Sequence, residues 1–426
     1  MNSPQPQQQP AAETGSLASR YRRIRSQTEK LVEPLAPEDT VVQSMPDVSP
    51  SKWHLAHTSW LFERFVLGLN LPGYKEFHPR FHYLFNSYYY TAGNMHPRPE
   101  RGLLSRPTLA EILAYRHHVD SHLLELLDKQ GSNGELAFLI ELGLNHEQQH
   151  QELILTDIKH VLSCNPLKPA YLKLKLEPCR APTAISYLQI PSGIVETGAA
   201  GTGFCFDNET PRHEELLYGG SLASRLITNA EFRAFIDDNG YRTPELWLSD
   251  GWAAVQQQQW AHPLYWSADL ETEFTLHGEQ ALDPNRPVCH VSLYEADAFA
   301  RWAGARLPRE ADWESIAAGQ DLAGNFYNES IDQPLHPVSV SGPGMQQMFG
   351  DAWEWTASAY APYPGFKPLQ GTLGEYNGKF MCNQQVLRGG SCVTPPDHIR
   401  ASYRNFFYPS SRWQFSGIRL ARDENA

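Results

Sequence analysis

Between Leu136 and Ile154 the apolar residues Leu136, Leu139, Leu142, Leu153 and Ile154 recur at three- and four-residue steps, a period that fits one face of an α-helix. Ser132 and Asn133 are suited to cap its start and Asn165-Pro166 stops it, so the spacing predicts a helix of roughly 30 residues. A helix that long is unusual in a compact domain and ordinary in a helical bundle. His146 and His150 lie on the side of the apolar stripe, four residues apart, so both imidazoles face the bundle interior as a ready chelate. The stretch His146-Glu-Gln-Gln-His150 also spells the HExxH signature of zinc metalloproteases. Two imidazoles buried on one face without a metal would leave ring nitrogens needing partners, so metal binding is a better reading than a pair of core histidines. At about 100° per residue, Glu152 falls well away from both and is a poor third ligand. Gln149 sits beside the pair as a neutral hydrogen-bonding group.

The same helical pattern occurs three more times before residue 165: over residues 15–35, from Ser49-Pro50-Ser51 through Trp53 and His57 to Leu67, and from Thr108 to about Lys129. Four such segments predict an antiparallel four-helix bundle. Between the second and third lies a long loop, Phe81 to Pro107, whose Tyr, Pro and Arg content argues for order. After a proline-punctuated connector, Asn165 to Ser186, the pattern changes to short strands, turns and irregular segments dense in Gly, Trp and Tyr. Two helices stand out there, one following Thr228-Asn229-Ala230-Glu231 and one from Ser292 to Ala303. The expected organisation is a disordered tail over 1–15, a bundle over 16–165, a linker over 166–186 and a mixed α+β domain over 187–424.

At 426 residues the chain is long enough for two or three full cores. A formal charge of −13 and the lack of a dense Lys/Arg block argue against nucleic acid or an anionic membrane as partner. No apolar run approaches the roughly 18 residues of a spanning helix, and no secretory signal is visible. The six cysteines are scattered without CxxC spacing, as expected of free thiols in a reducing cytoplasm.

Candidates for the third ligand in the first half include His54, His57, His78, His82, His96, His117, His118 and His122. His54 and His57 share the helix face that carries Trp53, Trp60 and Leu61, which turns one or both toward the bundle axis. One histidine from that helix and two from the long one give three neutral nitrogen ligands with coordination positions left open. Such a site suits a redox-active iron that must bind substrate and dioxygen, and it also fits zinc.

Several stretches then resemble one family in order along the chain. Trp53-His-Leu-Ala-His57, Phe85-Asn-Ser-Tyr-Tyr89, His96-Pro-Arg-Pro-Glu-Arg-Gly-Leu-Leu-Ser-Arg-Pro107 and His146-Glu-Gln-Gln-His150-Gln-Glu152 look like the DinB-like domain of the ergothioneine-biosynthetic sulfoxide synthases. Pro287 to Ala298, Arg301 to Trp313, Gly350-Asp-Ala-Trp-Glu-Trp355, Leu387-Arg-Gly-Gly-Ser391 and Phe415-Ser-Gly-Ile-Arg419 resemble the formylglycine-generating-enzyme-like (C-type-lectin-like) domain that accompanies it. The resemblance implies a non-haem iron(II) enzyme. Using O2, it would join the sulfur of cysteine or γ-glutamylcysteine to the imidazole C2 of hercynine and oxidise that sulfur to a sulfoxide. It implies His57, His146 and His150 as iron ligands, with His54 as a neighbouring residue and Gln149 close to the hercynine imidazole.

Tyr88 and Tyr89 resemble the tyrosine pair of one branch of the family, and a phenol can give the proton such chemistry needs; Tyr90 is the weaker choice. Arg98, Arg101 and Arg106 are plausible carboxylate clamps for the thiol substrate. Asn405, Phe406 and Phe407 resemble a substrate-pocket motif, aromatic faces being suited to a trimethylammonium group, while Trp413 and Phe415 fit either pocket or core. Phe407 stands where relatives that use γ-glutamylcysteine carry an acid, which favours free cysteine as the donor. No cysteine lies between Val393 and Arg419, so the formylglycine-generating chemistry is expected to be lost while the fold is kept. The alternatives are a 5-histidylcysteine sulfoxide synthase of ovothiol type, which normally carries a further methyltransferase domain that the stretch ending at Ala426 leaves no room for, and a DinB-type or HExxH zinc hydrolase, for which His160 and Glu177 are poorly placed.

Overall fold

The computed structural model describes residues 16–130, 134–201, 203–330 and 333–424. Helices α1 (Leu17–Lys30), α2 (Ser51–Phe62), α3 (Leu109–Gln130) and α4 (Gly134–Cys164) form the N-terminal bundle, with α4 spanning 31 residues as its period requires. The expected tail over 1–15 and the expected cap at Ser132 and Asn133 lie outside the described residues. α2 is buried along its whole length and ends in a π turn, Glu63–Leu67, so it is the central helix of the bundle. The long loop is ordered by short helical turns at Phe81–Phe85, Tyr90–Ala92 and Arg98–Leu103.

Two features lock α4 into the bundle. A Cβ at Gly143 would lie 2.4 Å from the Phe62 ring, so the helices meet closely only because that position is glycine. One turn further, the Glu147 carboxylate is fully buried and accepts hydrogen bonds from Arg25 at 2.8 Å, Arg116 at 2.9 Å and Thr28 at 2.7 Å. Burial alone would raise its pKa, but the two guanidinium groups outweigh burial and hold the carboxyl at about 2. The glutamate of the HExxH string is thus a structural anion joining α1, α3 and α4.

The buried surface of α4 is wider than a single stripe. Leu139 and Leu153 are only partly covered, whereas Asn145, Gln148, Gln151 and Glu152 are buried. The second half of the chain packs against the side opposite the bundle, so from Leu139 to Ser163 the helix is covered all round. Its polar side chains there are satisfied across the junction: Trp353 Nε1 donates to Glu152 at 2.6 Å, Thr394 Oγ1 at 2.7 Å and Ser391 Oγ at 3.2 Å. Further along, Lys159 Nζ lies 2.7 Å from His290 Nε2. On α1, Arg23 pairs with Asp397 at 2.6 Å, and Gln27 and Lys30 both reach Glu329 at 2.7 Å.

The connector over residues 166–186 holds no helix or strand and lies along the second unit, where the Tyr171 N–H donates to Leu276 O at 2.9 Å and the Cys179 N–H to Asp283 at 2.6 Å. Beyond it the two expected helices are present as Asn229–Asp237 and Leu293–Trp302, each opened by a capping box, Thr228/Glu231 and Ser292/Glu295. Two more, Ser249–Gln258 and Glu310–Ala317, escape the sequence reading because they run to 10 and 8 residues, too short for an apolar period to declare itself. The main sheet has the order Ser416–Gly417, Trp353–Ala359, Gln385–Arg388, Asn405–Phe407, with its first pair parallel and the others antiparallel. Three sequence motifs converge on it. Arg419 forks onto Glu354 at 2.7 and 2.8 Å, and Trp313 Nε1 donates to the same carboxylate at 2.8 Å. All six cysteines are free, and among the described residues no helix is long and apolar enough to cross a membrane.

Replacing Gly143 by alanine is expected to destabilise the bundle by about 1–3 kcal/mol through overpacking against Phe62, as read from urea denaturation. Because the Glu147 pKa is depressed on folding, its stabilisation is complete above the unfolded value of about 4.3 and fades as the pH falls toward 2. Glu147→Gln is accordingly expected to cost about 3–5 kcal/mol at pH 7, and the gap from wild type to shrink between pH 4.3 and 2 in the same measurement.

Candidate metal centre

His57 on α2 and His146 and His150 on α4 converge in the bundle interior. Each offers one ring nitrogen within 4.8 Å of the others, the one such group of three or more potential ligands found among the described residues. The ring centroids lie 5.0 Å (His57–His146), 4.8 Å (His57–His150) and 4.5 Å (His146–His150) apart. His57 Nδ1 lies 2.6 Å from Phe85 O and must donate to it, which leaves Nε2 bare, buried and without a protein partner. Both ring nitrogens of His146 are also buried without partners. Burial first, and the neighbouring imidazoles second, hold His57 and His150 well below the usual imidazole value; burial takes His146 to about 3. Three neutral imidazoles offering nitrogens within 4.8 Å of one another, with those of His57 and His146 buried and bare, fit a divalent transition metal, since a buried ring nitrogen left without a partner is costly.

His57 sits in a stack. Trp53 covers one side at 4.6 Å and an interplanar angle of 13°, Trp60 the other at 5.5 Å and 16°. The Arg101 guanidinium lies 3.4 Å from the centre of the Trp53 ring, buried, and bonded to Ser49 at 2.9 Å and Ser87 at 3.0 Å. Among the described residues no carboxylate forms an ion pair with it and its Nε has no hydrogen-bond partner, and burial pulls its pKa well below the ordinary value. Arg98 is exposed and donates to Asp47 O, and Arg106 reaches only Ser105 O at 3.4 Å. Of the three arginines, Arg101 alone is part of the interior around the histidines.

The tyrosine pair divides the same way. Tyr89 is fully buried against Trp60 and Phe65, and its Oη has no partner in hydrogen-bond geometry. Tyr88 stacks on it at 4.6 Å, whereas Tyr90 is 73% exposed, beneath Lys379. Burial raises the pKa of both Tyr88 and Tyr89, so each holds its proton at neutral pH. Two further tyrosines come from the second half of the chain. Gln149 Nε2 donates to Tyr403 Oη at 2.6 Å while Gln149 Oε1 accepts from Tyr376 Oη, and the Tyr376 ring lies 5.6 Å from that of His146. Sequence reasoning missed both. Tyr376 follows a 3₁₀ turn, Gly371–Glu375, in an irregular stretch with no motif of its own, and only the packing of that stretch on α4 brings it to the histidines.

Asn405, Phe406 and Phe407 form an edge strand somewhat apart from this centre. Phe406 stacks on Tyr360 at 4.0 Å and lies 6.0 Å from Phe380, which meets Tyr88 at 5.0 Å. The Asn405 side chain accepts from the next residue's N–H, and Phe407 packs on Trp413. Phe415 is fully buried beneath Lys159 and is core.

Residues 20–154 match the model of the DinB superfamily, and residues 175–334 and 320–424 match that of the sulfatase-modifying factor enzyme 1-like domain. The hercynine oxygenase of Mycolicibacterium thermoresistibile is 32% identical over 406 residues, covering 89% of this chain and 88% of that one. The hercynine oxygenase of Mycolicibacterium smegmatis is 32% identical over 437 residues, covering 96% and 99%. The formylglycine-generating enzyme of Streptomyces coelicolor is 29% identical over 293 residues and spans 55% of this chain and 88% of its own. The first two similarities run through both the helical and the mixed domain, and on that basis the chain belongs to the hercynine oxygenase family.

Proposed function

We propose that this chain is an oxygen-dependent sulfoxide synthase of ergothioneine biosynthesis. In this reading it joins the sulfur of cysteine or γ-glutamylcysteine to C2 of the hercynine imidazole and leaves the sulfur as a sulfoxide. The observation that carries the reading is the trio of buried, neutral imidazoles, His57, His146 and His150, each with a ring nitrogen within 4.8 Å of the others, within a chain related to hercynine oxygenases over both domains. The competing HExxH zinc-hydrolase reading loses its general base, since Arg25 and Arg116 hold the Glu147 carboxylate on the far side of the bundle core. Six free thiols fit a reducing cytoplasm.

Iron(II), held by the three histidines, would supply the one-electron chemistry with dioxygen that carbon–sulfur bond formation and sulfur oxidation need. Overall, the thiol S–H and imidazole C2–H hydrogens leave in one water, and the other oxygen atom stays on sulfur. The chain's own groups bind and deliver protons. Gln149 uses one donor and one acceptor on Tyr403 and Tyr376, which leaves one of each for the hercynine imidazole. Arg101 has an unpaired buried charge suited to the carboxylate of a zwitterionic substrate. Tyr89, with Tyr88 stacked on it, holds a phenolic proton in a buried site. Phe406, reaching Tyr88 through Phe380, extends an aromatic wall for the trimethylammonium group. With Phe407 against Trp413 and no acid at that position, free cysteine is the favoured donor.

Protein loaded anaerobically with iron(II) and then given air, hercynine and cysteine is expected to form the hercynyl-cysteine sulfoxide, followed by mass spectrometry. No sulfoxide from cysteine or γ-glutamylcysteine, or equal activity with zinc(II), refutes the proposal. If Tyr89 gives the proton, Tyr89→Phe is expected to lower kcat by about 10²–10⁴ with little change in the hercynine KM, and Tyr88→Phe to lower it less.

A further inference from the structure

Against His150, a second imidazole and a carboxylate form a hydrogen-bonded chain. His54 is buried, with Nδ1 2.8 Å from His150 Nδ1 and Nε2 3.0 Å from Asp157 Oδ2. Asp157 is also buried, and the same Oδ2 accepts the Ser49 N–H at 2.7 Å, which pins the carboxylate to the segment that opens α2. The three residues come from two helices, His54 from α2 and His150 and Asp157 from α4, the latter two about two turns apart.

The proton positions follow from these contacts. A carboxylate only accepts, so His54 Nε2 must carry the hydrogen that meets Asp157. A neutral imidazole has one N–H, so His54 Nδ1 is then bare and accepts. The facing His150 Nδ1 must donate, and the lone pair of His150 is left on Nε2, the nitrogen available to a metal. His57 reaches the same state by a different route, through the neutral carbonyl of Phe85 at 2.6 Å, and His146 has no protein partner at either nitrogen. The three ligands are therefore set up unequally.

We propose that Asp157 and His54 form a relay that fixes the ligating tautomer of His150 and raises its donor strength, making it the strongest of the three metal ligands. The relay rests on the metal reading above and concerns residues that touch neither substrate nor metal. The negative charge on Asp157 polarises the His54 ring, whose lone pair in turn draws on the His150 N–H and leaves more density at Nε2. His54 and Asp157 are thus positioning residues that act through His150.

Two measurements on the full-length protein decide the matter: anaerobic titration with cobalt(II), read by its ligand-field bands, and the midpoint potential of the iron-loaded protein. His54→Ala and Asp157→Ala are expected to weaken cobalt(II) binding 10–100-fold. Asp157→Asn keeps an oxygen for both the Ser49 and His54 N–H groups and removes only the charge. It is expected to weaken cobalt(II) binding less and to move the midpoint potential upward, because iron(III) loses more than iron(II). An Asp157 that served only to anchor Ser49 would lower the thermal midpoint of the metal-free variants and leave the ligand-field bands and the potential where they were. Folded Asp157→Ala with wild-type cobalt(II) affinity overturns the relay; should both alanine variants fail to fold, an unchanged midpoint potential in Asp157→Asn overturns it. Wild-type protein that takes up neither cobalt(II) nor iron(II) refutes the metal centre itself, a result distinct from either.

Discussion

Enclosing α4 on every side is the constraint from which the rest of the architecture follows. A helix advances about 100° per residue, so consecutive side chains must each answer to a different neighbour. His146 and His150 turn toward α2 and the metal centre, Glu147 toward the arginines of α1 and α3, and Gln149 and Glu152 toward the second domain. All of these polar groups but the half-buried Gln149 are cut off from bulk water, so each needs a partner of matching chemistry. The Glu147 and Glu152 carboxylates show two solutions. The first is neutralised by guanidinium groups, and the second takes neutral donors from Trp353, Ser391 and Thr394, with burial raising its pKa.

What was legible in the sequence was what repeats locally. The three- and four-residue steps of α4, the i,i+4 histidines and the His54/His57 face of α2 are all properties of a single helix, and each points the way its period requires. Gln149 was placed beside the site by the same arithmetic. The resemblance alone prefers His57 to His54 as a third ligand, and what separates the two physically is visible only in three dimensions: His57 Nε2 is free, whereas both His54 nitrogens are engaged.

The remainder depended on contacts between segments far apart in the chain. Tyr376 and Tyr403 meet Gln149 over more than two hundred residues of sequence separation. The distinction among Arg98, Arg101 and Arg106 is likewise tertiary, since only Arg101 finds an indole to lie on. The width of the buried face of α4 could not be anticipated from the bundle pattern because half of it belongs to another domain.

Gln149 carries a consequence for how such a chain can be inherited. Its amide joins a phenol from one part of the second domain to a phenol from another, while its neighbours on the helix line the histidine centre. The candidate site is therefore a seam, with one wall in each domain, and neither wall contains it by itself. A recombination event that exchanged one domain for a foreign relative could preserve both folds and both hydrophobic cores, yet it would deliver a silent protein unless the tyrosines and the glutamine arrived as a matched set. Selection on this chain then acts on the pair of domains as one heritable unit, even though each could be classified alone.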